Sequence, residues 1–328
     1  MNKLILVALC LISCSVTPEK TQAQSSKGGG MTDPSSDAQV SCPQQAPAPP
    51  ASHQELNHNI IEVHNGTYPP IAALWTSQLI SAGITGKTWV GPLSDNQGID
   101  SLHKNKKRHT IVFVPSLYNT KKSPELLIWL HGHNGFNKFD VRILRHLDTL
   151  YSRGKNLVII AVEQPWSHWT KTRTSRNGTG PFRAPGEFEV WMDEVFSILG
   201  QYGINPELIS SKNITLIGHS AGGSGIMSMA KSGALGILDP QTIVFSDSTY
   251  GRWFDVVYDK HLKDRPGTDV YVLTKKHGPP WRSMKRFYRE RKGSPISKNI
   301  VHIALSKGWS HKRIGDNCVL YPGTPFIQ

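Results

Sequence analysis

Gly218-His219-Ser220-Ala221-Gly222 sets a serine between two glycines, directly after the largely β-branched run Ile214 to Ile217. The pattern G-x-S-x-G gains meaning when a strand precedes it and a helix follows, because the serine then sits at a strained strand-to-helix turn. Both neighbours fit: "NITLIG" reads as a strand and "SAGGSGIMSMAKSG" as a helix. Gly218 and Gly222 fall where strand and helix crowd too close for a Cβ. Such a turn lifts Oγ of Ser220 above the sheet edge and aims a helix N-terminus at whatever the oxygen attacks. The chemistry implied is nucleophilic: a hydroxyl that forms a covalent intermediate once a base takes its proton.

The base belongs late in the chain, after the last core strand. Of the 14 histidines, His311 stands just beyond the strand-like "NIVHIAL", preceded by Gly308 and flanked by polar residues. His302 lies inside that strand and reads as a core or sheet-face histidine. A third group, a buried carboxylate, must fix the tautomer of the base and stabilise its imidazolium. Asp247, at the end of "TIVFSD", is the first choice and Asp255 the second; Asp247 could instead cap the following turn. An oxyanion would need two backbone N–H donors. Ala221, after the serine, supplies one, and His133, in the loop that follows "ELLIWLHG", supplies the other. His131 and His133 could alternatively be a metal pair. No third ligand stands at a recognisable spacing, so neither a metal nor a cofactor is expected.

These residues need a sheet to position them. "HTIVFVP" (His109 to Pro115) and "ELLIWLHG" (Glu125 to Gly132) read as neighbouring strands, and "NLVIIAVEQP" as a strand buried on both faces. "TIVFSD", "DVYVLT" and "NIVHIAL" follow later, with the basic helix "SMKRFYRERK" between the last two. "FEVWMDEVFSILGQYG" has helical spacing, with Val190, Met192, Val195, Ile198 and Leu199 on its apolar face. Strands alternating with helices over this length define an α/β protein with a mostly parallel central sheet and helices on both faces.

"RHTIVFVPSLYN", "LLIWLHGHNG", "LVIIAVEQP", "NITLIGHSAGG" and "GWSH" together resemble an α/β-hydrolase, and most of all the secreted esterases that include feruloyl esterases and polyhydroxyalkanoate depolymerases. The resemblance spans roughly Arg108 to Arg313. It implies Ser220 as nucleophile, His311 as base, and the amides of Ala221 and His133 as oxyanion hole. One departure concerns the acid, which usually follows the strand placed here at Asp269 to Thr274. That strand runs into "KKHGPPWRS", which holds no carboxylate. Asp247, on the preceding strand, takes the place instead, as it does in some members of the fold.

The rest of the chain speaks to location and partners. Residues 1–14, "MNKLILVALCLISC", combine Lys3 with an apolar stretch too short to remain a membrane span, and they end in a sequence resembling a bacterial lipobox. By that resemblance Cys14 is lipidated and anchors the protein in the cell envelope, facing the periplasm or exterior; Ser15 favours the outer membrane. An ordinary signal peptide is the alternative. Residues 15–52 are rich in Ser, Pro, Gln and Gly and read as a disordered tether; residues 53–328 read as one domain. Cys42 and Cys318 could pair in an oxidising compartment. Sequons at Asn65, Asn177 and Asn213 are discounted, since a lipobox would imply a bacterium and Asn213 opens a buried strand.

The net charge is +13 among 328 residues. Much of it lies in "KKHGPPWRSMKRFYRERKG" from Lys275 and in "KTRTSRNGTGPFR" from Lys171. No nucleic-acid-binding motif accompanies it, so nucleic acid is not an expected partner. Trp166 and Trp169 with Arg173, Arg176 and Arg183 suit an anionic or acylated envelope polymer, since indole faces stack on sugar rings and guanidinium forks grip anions. Tryptophans in the core and solvated arginines are the plainer alternative. Three functions fit: hydrolysis of a carboxylic ester, including a small ester; cleavage of wall peptides by the same triad as a peptidase or amidase; or non-catalytic binding of an envelope ligand.

Overall fold

The structure is a computed structural model that describes residues 60–63, 69–93, 109–132, 141–163, 182, 186–296, 298–306, 308–321, 324 and 326. Cys14, the tether and Cys42 lie outside these residues, as do His133, Trp166, Trp169, Arg173, Arg176 and Arg183. In chain order the elements are β1 (Ile60–Val63), α1 (Pro69–Ala82), β2 (Gly86–Pro92), β3 (His109–Pro115), β4 (Glu125–Leu130) and α2 (Leu147–Ser152). They continue with β5 (Leu157–Val162), α3 (Glu187–Gln201), β6 (Ile214–His219), α4 (Gly222–Ser232), α5 (Ala234–Leu238) and β7 (Thr242–Ser246). The last are α6 (Trp253–Lys260), β8 (Asp269–Lys275), α7 (Pro279–Glu290), β9 (Ile300–Leu305) and α8 (His311–Asn317).

The strands form one nine-stranded sheet in the order β1-β2-β3-β5-β4-β6-β7-β8-β9. β3 runs against both its neighbours, and every other pairing is parallel. The C-terminal ends of β4 to β9 therefore share one edge, where ligands of such sheets bind. β3 and β4 were expected as neighbours; β5 lies between them instead. After β4 the chain crosses over through α2 and returns parallel beside β4, so β3 pairs with the far side of β5.

Alternate strand residues feed two cores, as the period of a strand requires. Leu126, Ile128 and Leu130 of β4 pack with Trp191 and Val195 of α3, Ile226 and Met229 of α4, Phe254 of α6, and Met284 and Phe287 of α7. Leu127 and Trp129 face the other way, towards Trp75 and Leu79 of α1, Leu147 of α2 and Ile314 of α8. Helix α3 corrects one expectation. Val190 is exposed, and Trp191 is buried in its stead, with its indole N–H donating to Thr110 Oγ1 at 2.9 Å.

Candidate active site

β6 ends at His219, and Ser220 follows at φ 53°, a left-handed conformation that a non-glycine residue adopts only under constraint. The constraint is visible on both sides. The Ser220 amide donates to the Ser246 carbonyl at 3.1 Å, which ties the turn to the end of β7. A Cβ on Gly218 would stand 2.7 Å from Ile226 Cδ1, and one on Gly222 would strike the Leu130 carbonyl. Those two glycines let α4 begin directly under the turn, so the helix N-terminus faces the serine. Ala221 is buried at that N-terminus with helical dihedrals, and its carbonyl accepts from Ser224 Oγ at 2.7 Å.

The end of β4 closes in from one side. A Cβ on Gly132 would come within 2.9 Å of Ser220 Cβ, which places the residue before His133 against the serine. His131 is buried, with Nδ1 2.7 Å from the Gly132 carbonyl. Among the described residues no three or more His, Cys, Asp or Glu side chains come together to hold a metal ion.

From the other side come β7 and α8. Asp247 is buried, just past β7, at φ 47°. Its Oδ1 accepts the Lys275 amide at 3.0 Å, and its Oδ2 lies 2.6 Å from His311 Nδ1. His311 is the first residue of α8, behind an N-cap Ser310 whose side chain accepts from the Arg313 amide. A carboxylate only accepts, so the Nδ1 proton of a neutral His311 points at Asp247 and Nε2 is left bare. The side chain keeps 41% exposure, so the site stays reachable. Asp255 is elsewhere engaged: it is buried in α6, 2.8 Å from Arg286 and 3.2 Å from Arg291. His302 bonds Thr274 Oγ1 at 2.9 Å on the sheet face and takes no part.

Two groups at the site had no place in the sequence reading. Tyr250 places its hydroxyl near enough to the Ser220 side chain to interact with it, and its ring stands edge-on to His311 at 6.4 Å between centroids. Burial, and then the charge of Asp247, raise its hydroxyl above the ordinary value, so it stays protonated. His219 stacks on His311 at 4.7 Å between ring centroids. Tyr250 follows Asp247 by three positions and His219 precedes the serine, so proximity to those residues was the only signal available.

Cys318 carries a free, buried thiol, pushed up to about 12 by burial. The basic stretch divides. Arg286 and Arg291 pair with Asp255, and Arg291 also with Asp259, while Arg282, Lys285, Arg289 and Lys292 are exposed. Trp281, half-buried, meets His277 edge-on at 4.9 Å and lies 4.8 Å from Lys285 Nζ.

The strand order, the single reversed strand β3, and a left-handed serine between β6 and α4 define an α/β-hydrolase fold. No protein-family model and no curated protein matches the chain. Solved structures similar to it include the feruloyl esterase module of Clostridium thermocellum, at 14% identity and a TM-score of 0.46 over 70% of this chain and 85% of that one. The ferulic acid esterase of Anaeromyces mucronatus is similar at 14% identity and a TM-score of 0.41, over 71% and 87%. A thermophilic carboxylesterase cloned from a metagenomic library is similar at 14% identity and a TM-score of 0.40, over 78% and 88%.

Proposed function

We propose that this protein is a serine hydrolase that cleaves carboxylic esters through an acyl-enzyme, with no cofactor. The observation that carries the reading is the 2.6 Å contact of His311 with Asp247, made by an imidazole stacked on the residue next to the left-handed Ser220. Ser220 Oγ attacks the carbonyl carbon while His311 Nε2 takes its proton. The ring then protonates the departing alkoxide, and Asp247 stabilises the imidazolium in between. The amides of Ala221 and His133 receive the oxyanion. Water repeats the sequence on the acyl-enzyme and releases the acid.

The substrate in this reading is an acylated or anionic envelope polymer. Trp166, Trp169, Arg173 and Arg176 grip it, and a lipid anchor on Cys14 holds the enzyme in a bacterial envelope, with the outer membrane favoured. The exposed cations of α7 support an anionic partner by charge alone. Hydrolysis of p-nitrophenyl acetate tests the reaction. Ser220→Ala should lower kcat by about a millionfold; unchanged turnover would refute the assignment. A matched p-nitroanilide separates an esterase from an amidase, and faster cleavage of the anilide would favour wall peptides. Reversing Arg173 and Arg176 to Glu should raise KM for an acidic ester alone, and equal effects on a neutral ester would contradict the anionic substrate.

A further inference from the structure

Helix α8 carries His311 and Gly315, and Cys318 caps its C-terminal end, at spacings that put all three on one face. That face lies against the ends of β6 and β7. The His311 ring stacks on the His219 ring with centroids 4.7 Å apart and planes 29° apart. One turn further on, a Cβ at Gly315 would fall 2.6 to 2.8 Å from three atoms of the same ring. At the end of the helix the buried Cys318 thiol donates to the Gly315 carbonyl at 3.4 Å, and Ser246 Oγ stands 3.3 Å from His219 Nδ1.

The His219 ring is itself fixed. Nδ1 donates to the Ser246 carbonyl at 2.9 Å, the carbonyl that also receives the Ser220 amide. Trp129 stacks in line with it at 6.3 Å and 16°. Burial, and then the charge of His311, push its imidazole down to about 4, so the ring facing the base is neutral at pH 7. Glycine inside a helix is unfavourable relative to alanine. At position 315 the close approach to His219 accounts for its presence.

We propose that His219 is a positioning residue: a plate on which α8 docks through Gly315 and which holds the His311 ring in register with Ser220. His219 and Ser220 share a peptide bond, so whatever is seated on the ring is seated relative to Oγ. The proposal rests on the assignment of Ser220 and His311 as nucleophile and base. It explains why a bulky planar residue stands in the variable position of the G-x-S-x-G turn. A smaller residue there would leave α8 without a surface to stop against.

A double-mutant cycle on the full chain tests it. His219→Asn keeps a donor towards Ser246 and removes the ring; Gly315→Ala adds the methyl that the ring excludes. Each single change should lower kcat for p-nitrophenyl acetate by about 100-fold, the cost of a small misplacement, with KM held within about twofold. In the His219→Asn background, Gly315→Ala should cost less than about twofold more, because the group it strikes is gone. Full kcat in His219→Asn, or equal losses from Gly315→Ala in both backgrounds, would overturn the proposal. If Gly315→Ala alone does not fold, recovery of folded protein on adding His219→Asn is the expected result, and continued failure refutes it. A wild-type protein without turnover would refute the hydrolase reading instead. The seat would then be judged by thermal midpoints: a loss from Gly315→Ala that vanishes with the ring upholds it, and equal losses overturn it.

Discussion

Asp247 holds its two carboxylate oxygens to two different elements: Oδ1 accepts the Lys275 amide at the end of β8, and Oδ2 meets His311 at the start of α8, 2.6 Å away. β8 ends without a carboxylate of its own and contributes a backbone donor to the acid of β7. In the proposed triad the acid thus follows β7 rather than β8, and its carboxylate still reaches the His311 imidazole.

Asp247→Asn should therefore cost kcat about 10⁴-fold with little change in KM, because the amide can force the wrong tautomer on His311. Asp255→Asn should do the reverse. It leaves kcat within a few-fold but weakens the bonds from Arg286 and Arg291, which keep Glu290 and Asp259 as partners, a loss of about 1.5–3 kcal/mol for hydrogen bonds to charged groups. Steady-state kinetics and chemical denaturation of both variants check the pair of outcomes.

Gly132→Ala should lower activity steeply while the protein remains folded. Its methyl would stand 2.9 Å from Ser220 Cβ, with His219 Cδ2 at 3.3 Å, so the serine or the end of β4 must move. A drop of about 100-fold in kcat is expected for such a displacement. A variant with wild-type kcat would show that the backbone at Gly132 yields without disturbing the serine.

Tyr250→Phe keeps the ring beside Trp253 and His311 and deletes the hydroxyl that interacts with Ser220. A neutral hydrogen bond of this kind contributes about 0.5–1.5 kcal/mol, so kcat/KM should fall about three- to tenfold. The measurement is kcat/KM on a small neutral ester, where remote substrate contacts do not intervene.

Stability should fall as the solution is acidified from about pH 6.5 to about pH 4. Burial holds His219, His261 and His302 at about 4 in the folded protein, whereas the unfolded chain titrates near the ordinary value of 6.5. Between those values the unfolded state binds more protons, so stability rises with pH across the window and is lost on going down through it. Below about pH 4 these groups add no further slope. Urea midpoints from pH 7 to pH 4 test this, and His261→Gln should flatten the dependence by the share of one histidine.

The serine turn was legible in the sequence, and Asp247 and His311 could be put forward to serve it, because the chemistry sought restricts both residue type and place in the fold; the structure brings Asp247 and His311 within 2.6 Å. The parallel core strands were legible as apolar runs. Pairing was not: whether β3 or β5 lies beside β4 depends on how the crossover returns, which no local pattern encodes. On α3, Met192, Val195, Ile198 and Leu199 are buried as expected, and one position was misread: Val190 and Trp191 are both apolar, but Trp191 continues the i, i+3 spacing from Phe188 and bonds Thr110. β2, "GKTWVGP", escaped notice because two glycines and a proline mask a strand of high burial. The parts played by His219 and Gly315 arise between residues far apart in the chain, and neither position is unusual by itself.

Labelling of the full chain with a fluorophosphonate, located by peptide mass mapping, tests the central claim most directly. One phosphonyl group should appear on Ser220, disappear in Ser220→Ala and form far more slowly in His311→Ala. A folded wild-type protein that stays unlabelled, or that carries the label on a different serine, would contradict the account.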